Sequence, residues 1–257
     1  MPTVEVNGIP IFYFEYRVRG GAVPPVLLIH GAGGQHAHWP PQVRRLPGVQ
    51  TFAPDLPGHG RSGGQARTRL SGTAGDLLAF MDAIGVDRFV AVGHSMGGGV
   101  ALELALRAAE RVAGLGLLGT GATLPINTRL LAQVDEDFDA AVDFVIGHQY
   151  GPGVDPKVAR VGRRQLKETG PASFGADMRA CQAYDVTDRL GEIAAPALVI
   201  AGEEDRMVRP TISEALAAEL PNAQFVLVED TGHMLPAEAP SEVAAVLGGW
   251  LAEQLGG

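Results

Sequence analysis

Six short runs along the chain are continuously apolar rather than alternating: residues 24–30 (PPVLLIH), 49–55 (VQTFAPD), 88–93 (RFVAVG), 112–119 (VAGLGLLG), 196–202 (PALVIAG) and 223–229 (AQFVLVE). A strand that faces solvent on one side alternates polar and apolar residues, whereas one covered on both faces does not, so each run predicts a buried parallel strand. Between them lie helical spacings at 72–84, 96–109, 211–220 and 241–255. Strand alternating with helix implies right-handed crossovers and an α/β fold with a doubly wound, mostly parallel sheet. Ahead of these, residues 3–18 predict two short strands around Asn7-Gly8, a hairpin signal.

The rhythm stops between residues 122 and 195. No buried strand is evident there, while LLAQVDEDFDAAVDFVIGHQY spaces its apolar residues for one helix face, and PKVARVGRRQLKET and PASFGADMRACQAY predict further helices. Residues 1–121 and 196–257 are expected to form one core. Residues 122–195 are expected to form a helical cap over the carboxyl ends of the strands, where open α/β sheets bind ligands. The plainer alternative is a set of crossover helices that have merely lengthened.

With 257 residues, 46% of them hydrophobic and 19% charged, the chain has an ordinary globular composition. Its net charge of −9 argues against a nucleic-acid partner and against attraction to an anionic membrane surface. No run reaches the roughly 18 apolar residues of a membrane span, and no basic stretch followed by an apolar one suggests a secretory signal. Cys181 is the only cysteine, so an intrachain disulfide is impossible and a cytoplasmic location is the default. Its helix-like neighbours make it a small buried hydrophobe rather than a nucleophile.

The stretch RFVAVGHSMGGGVALELAL, residues 88–106, crowds glycines around one serine between a strand and a helix. A dinucleotide-binding turn needs G-x-G-x-x-G, and Ser95 occupies the place of the second glycine; a P-loop needs a lysine, and none is near. Gly93-His94-Ser95-Met96-Gly97 matches G-x-S-x-G in the strand–turn–helix context of a nucleophile elbow. A helix N-terminus there favours a developing anion. The competing reading is a small residue that fits a tight turn. A serine nucleophile needs a base, and the base needs an orienting acid, in the chain order serine, acid, histidine. LVIAGEEDRMV and FVLVEDTGHML offer His233 after the last strand, with Glu203, Glu204, Asp205 and Asp230 competing as the acid.

Taken together, HGAGG after the third strand, DLPGHGRS after the fourth, GHSMGG, GEEDRMV and TGHMLPAEAP make the chain resemble the α/β-hydrolase superfamily over essentially its whole length. The resemblance implies a serine esterase or lactonase with a helical cap. It places the acid at Asp205, three residues after the glycine of G-x-x-D, and leaves Glu203 and Glu204 as loop carboxylates and Asp230 as a turn residue. It implies an oxyanion hole formed by the backbone amides of Met96 and Ala32, with Gly33 and Gly34 keeping the loop close. The implied reaction is acyl transfer through Ser95, His233 and Asp205, without a cofactor, on a small ester or lactone.

Within the superfamily, a serine at position 95 argues against dehalogenases and epoxide hydrolases, which use aspartate. Carbon–carbon bond hydrolases favour Asn before the serine and Trp after the final Gly-His, where this chain has His94 and Met234. Perhydrolases favour an aromatic residue where Ala32 stands. A ligand receptor that keeps the triad without turnover is the rival from another class. The other histidines lack a metal-binding spacing: His36-Ala37-His38 continues into Trp39-Pro40, with no following Asp-His, so no metal is expected. His30 and His94 are expected to position loops, and His59 and Asp55 to fix a glycine-rich turn. Phe138, Phe144 and Met178 are candidates for a pocket or for core, and the substrate-binding residues stay unassigned.

Overall fold

The computed structural model describes residues 2–18, 20–21 and 23–256. Strands β1 (Thr3–Val6) and β2 (Ile9–Tyr16) form the expected hairpin, with Asn7 and Gly8 at φ 51° and 79°. Two positive φ values in a two-residue loop match the right-handed strand twist. The chain continues through β3 (Val26–Ile29), α1 (Pro41–Arg44), β4 (Thr51–Pro54), α2 (Leu70–Ala83), β5 (Phe89–His94), α3 (Met96–Arg107) and β6 (Val112–Leu118). Then come α4 (Thr128–Glu136), α5 (Phe138–His148) and α6 (Pro156–Gln182). The chain closes with β7 (Ala197–Gly202), α7 (Pro210–Glu219), β8 (Ala223–Val228), α8 (Leu235–Glu238) and α9 (Pro240–Leu255).

All six apolar runs are strands of one sheet, ordered β1-β2-β4-β3-β5-β6-β7-β8, antiparallel at β1, β2 and β4 and parallel from β4 to β8. Alternate residues of each central strand enter opposite cores. Leu27, Ile29, Ala91, Leu115 and Val199 pack with α2, α3 and α7, while Val26, Leu28, Val90, Val92 and Ile200 pack with α1 and α9. Two buried faces explain the lack of alternation in these strands, but the expectation fails for β8, which lies at the sheet edge and is only partly buried, with Leu227 exposed. The sheet winds outward in both directions from β3, which pairs with β4 on one side and β5 on the other. Successive connections therefore diverge at the carboxyl ends of β3 and β5, opening the crevice where such sheets bind ligands.

Helices α4, α5 and α6 build a third cluster around Leu130, Val134, Val142, Leu166 and Phe174. The 130–150 stretch, whose spacing predicts one helix face, divides at Asp137, whose carboxylate accepts the Ala140 N–H (3.1 Å) and caps α5. A side-chain cap satisfies donors that lack a partner in the first turn. In α6 the break falls at Gly170 (φ 77°, ψ 168°), immediately before Pro171. Proline has no amide hydrogen to donate, and its ring disfavours helical backbone in the residue before it. The end of the segment, including Cys181, Tyr184, Leu190 and Ile193, joins the main core. Among the described residues, no helix is long and apolar enough to cross a membrane.

Candidate active site

Ser95 lies between β5 and α3 at φ 54°, ψ −120°. With Asn7 and Asp230, it is one of three described non-glycine residues at positive φ. Such backbone costs about 1–3 kcal/mol and persists only when the surroundings over-determine it. Here the Ser95 N–H donates to the Leu118 carbonyl at the end of β6 (2.8 Å), and the Ser95 carbonyl accepts from Gly98 (2.9 Å). A Cβ at Gly93 would overlap the Gly97 carbonyl, and one at Gly97 would overlap the Ile29 carbonyl in β3. The two glycines therefore let the turn close on itself and let α3 start against the end of β3.

Three loops bring the remaining groups to this point. The ring of His233 bonds Ser95 Oγ through Nε2 (2.9 Å) and Asp205 Oδ2 through Nδ1 (2.7 Å). This network assigns Nδ1 as the donor to the carboxylate and Nε2 as the acceptor of the serine hydroxyl. Asp205 is buried, and its other oxygen accepts the Met207 and Val208 amides (both 2.8 Å), so its orientation is held on both sides. Of the competing acids, Glu203 is exposed and accepts the Asp230 N–H (3.3 Å), while Asp230 occupies a turn at φ 53°. Neither is bonded to His233. The ring of His94 donates from Nε2 to the His233 carbonyl (2.8 Å). Burial, then the adjacent His233, holds His94 well below the ordinary histidine range, so it stays neutral in this role.

The loop after β3 completes the site. A methyl group at Gly31 would stand 3.2 Å from Ser95 Cβ, so this loop lies directly against the serine. Among the described residues, no protein acceptor pairs with the amide of Ala32 or of Met96. Histidines position the loop from beneath. His30 accepts the Leu56 N–H at Nε2 (3.1 Å) and donates from Nδ1 to the Gly31 carbonyl (2.8 Å). Burial, then the neighbouring His59, pulls His30 down to about 3, which keeps it neutral. Asp55 accepts the His36 amide (2.6 Å) and ring (2.7 Å) and the Arg61 amide (2.9 Å), while Gly60 leaves no room for a side chain against it. Burial works against the Asp55 charge, but the hydrogen bonds from His36 and Arg61 prevail and hold it below the usual carboxylate range. Among the described residues, no three His, Cys, Asp or Glu side chains converge on a metal position.

A cavity of about 490 Å³ opens onto Ser95 and His233, walled mainly by apolar side chains of the 122–195 segment such as Leu130, Phe144, Leu166 and Met178. Phe144 and Met178 therefore face the cavity, whereas Phe138 packs against Phe174, with ring centroids 6.2 Å apart. Cys181 also borders it, but burial, then Asp177, pushes its thiol far above the ordinary range. Thiolate is the reactive form. Iodoacetamide at pH 8 should accordingly leave Cys181 unmodified in the native protein and label it in urea, as read by mass spectrometry; equal rates in both would contradict this.

Motif reading misses Asp177. This buried acid bonds His59 Nε2 and the Gly33 amide, each at 2.8 Å. Its signal is an aspartate within the apolar helical stripe Phe174, Met178 and Cys181. Burial opposes charge on His59, but the adjacent Asp177 carboxylate prevails and holds it above the ordinary histidine range. A cation favoured in the fold adds its full stability below the unfolded-state value, about 6.5, and loses it as pH rises through the folded one. Urea midpoints should thus fall more steeply from pH 6 to pH 9 in wild type than in His59→Gln. Parallel slopes would show that the pair is not linked to protons.

The sheet order, the serine turn and the loops that meet at it define an α/β hydrolase, and the chain belongs to the alpha/beta hydrolase family, whose model matches residues 26–246. It is 29% identical over 245 residues to a protein of Agrobacterium fabrum that bears the provisional name carbamate hydrolase RutD, covering 89% of this chain and 93% of that one. The enol-lactonase from Burkholderia xenovorans LB400 superposes with a TM-score of 0.91 at 25% identity, covering 98% of this chain and 100% of the other. A thermophilic esterase from Thermogutta terrifontis does so at 0.88 and 26%, covering 99% and 98%. These similarities support a hydrolase.

Proposed function

We propose that the protein is a serine hydrolase of small to medium carboxylic esters, lactones among them, acting through an acyl-enzyme. The observation that carries this reading is the continuous chain of hydrogen bonds from Ser95 Oγ through His233 to buried Asp205. Ser95 Oγ attacks the carbonyl carbon as its proton passes to His233 Nε2, and Asp205 stabilises the imidazolium that forms. The amides of Ala32 and Met96 receive the oxyanion; that neither has a protein acceptor among the described residues supports that role. His233 then gives the proton to the leaving alkoxide, and water, activated by the same imidazole, releases the acid. Helices α4, α5 and α6 serve as the cap, enclosing the acyl group in a mostly apolar cavity suited to such substrates, while the end of the 122–195 segment belongs to the main core. The single cysteine is in keeping with a cytoplasmic site of action.

The test is turnover by wild type and Ser95→Ala of a panel of p-nitrophenyl esters of graded acyl length, lactones and aryl carbamates. Ester or lactone turnover that depends on Ser95 is expected. Faster turnover of carbamates would reassign the substrate class, and stoichiometric binding without turnover would make the protein a receptor.

A further inference from the structure

Gly33, the residue after Ala32, is held from above by both halves of the broken helix α6. Its N–H donates to Asp177 Oδ2 (2.8 Å), and its carbonyl accepts the Thr169 hydroxyl (2.8 Å). Thr169 ends the first half, and Asp177 sits in the second, across the break at Gly170. The seat is close: at Gly33 (φ 65°) a Cβ would collide with Leu166 and stand 3.0 Å from Phe174, one residue from each half. Within the loop itself, only the Gly34 N–H to Gly31 carbonyl bond (3.1 Å) closes the turn whose two corners are Ala32 and Gly33. A glycine corner at positive φ is permissive, so by itself this turn does not define where the Ala32 amide lies.

We propose, resting on the hydrolase reading above, that Asp177 and Thr169 are positioning residues that set the Ala32 amide for the oxyanion, so that transition-state stabilisation depends on how α6 is seated. An oxyanion donor must lie about 2.7–3.1 Å from the charge it meets. A misplacement of about 1 Å can lower the rate by about 100-fold. The acid also has an electrostatic requirement. A lone carboxylate this near the loop would oppose the negative charge forming there; His59 bonds the same oxygen and, when protonated, offsets that charge. The second half of α6 is tied down further by Ser173, whose hydroxyl donates to the Gly58 carbonyl (2.7 Å). Substrate that fills the cavity under α6 therefore touches the same helix that fixes the oxyanion loop.

The test compares wild type, Asp177→Ala, Asp177→Asn and Thr169→Val on the best ester of the panel, with a trifluoromethyl ketone of matching acyl group as a second probe. Ser95 Oγ adds to the ketone carbon, its proton moves to His233, and the ketone oxygen becomes an oxyanion in the hole. The expected result is a loss in kcat of about 10- to 100-fold for Asp177→Ala and a smaller one for Thr169→Val, with KM changed by less than about 3-fold. The ketone inhibition constant should weaken in step with kcat. Asp177→Asn, which can still accept the Gly33 N–H, should recover most of the loss. An unchanged kcat in both Asp177→Ala and Thr169→Val overturns the proposal, as does a fall in kcat with ketone affinity intact, or failure of Asn to rescue. If Asp177→Ala does not fold, Thr169→Val and Asp177→Asn decide it by the same parallel between kcat and ketone affinity. Absence of Ser95-dependent turnover in wild type overturns the hydrolase reading and this inference together, and is distinguished by the first assay alone.

Discussion

Replacing Ser95 with alanine is expected to lower kcat for ester hydrolysis by on the order of 10⁶-fold, with little change in KM. The substitution deletes the hydroxyl bonded to His233 Nε2 and leaves the cavity and the loop in place, so binding is expected to survive while the covalent route is lost. Asp205→Asn is expected to lower kcat by about 10⁴-fold, because an amide at that position no longer fixes the imidazole tautomer that accepts the serine proton. Steady-state kinetics on freshly purified variants, checked for wild-type contamination by titration with a serine-directed fluorophosphonate, measures both. The same reagent should add once to wild type, at Ser95, by peptide mass spectrometry. More than about 1% of wild-type turnover in Ser95→Ala would remove the serine from the reaction.

The largest structural effect is expected at Gly93. Gly93→Ala brings a methyl group onto the backbone of Gly97 and Gly98 at the first turn of α3, and neither partner is a side chain that can rotate away. Strand β5 and helix α3 must then separate or the elbow must open, and overpacking of rigid interior structure costs about 3 kcal/mol or more. Urea unfolding should show that loss as a lowered midpoint at unchanged slope. Activity should disappear in the fraction that remains folded, since an opened elbow withdraws Ser95 from His233. A variant of wild-type stability would mean that the turn is far more pliant than its contacts indicate. Ser95 itself depends on this crowding, because its positive φ is upheld by bonds to Leu118 and Gly98 rather than by intrinsic preference.

The sheet was legible in the apolar runs because strands covered on both faces leave an unmistakable unalternating pattern, as Leu27–Leu28 and Val90–Ala91 show by entering opposite cores. The serine turn was legible for a related reason: Gly93 answers to a clash with the Gly97 and Gly98 backbone only a few residues on, whereas the need for Gly97 arises from Ile29 in the distant strand β3. The break at Asp137 leaves no mark in the pattern, since the periodicity of 130–150 fits one face on either side of it and the capping bond to Ala140 marks the boundary.

The sequence alone therefore determined the order of strands and helices, the place of the elbow and the candidate residues, with Asp205 singled out from its neighbours through family resemblance. Local chemistry is written in neighbouring residues, and that is where those features reside. Only the tertiary structure decided that Asp205, and neither Glu203 nor Asp230, is bonded to His233, and that Phe144 rather than Phe138 faces the cavity. It alone brought Asp177 to Gly33 across 144 positions of chain. No periodicity records such a contact, because it arises from the seating of one helical segment on a distant loop, a property of packing and not of sequence spacing.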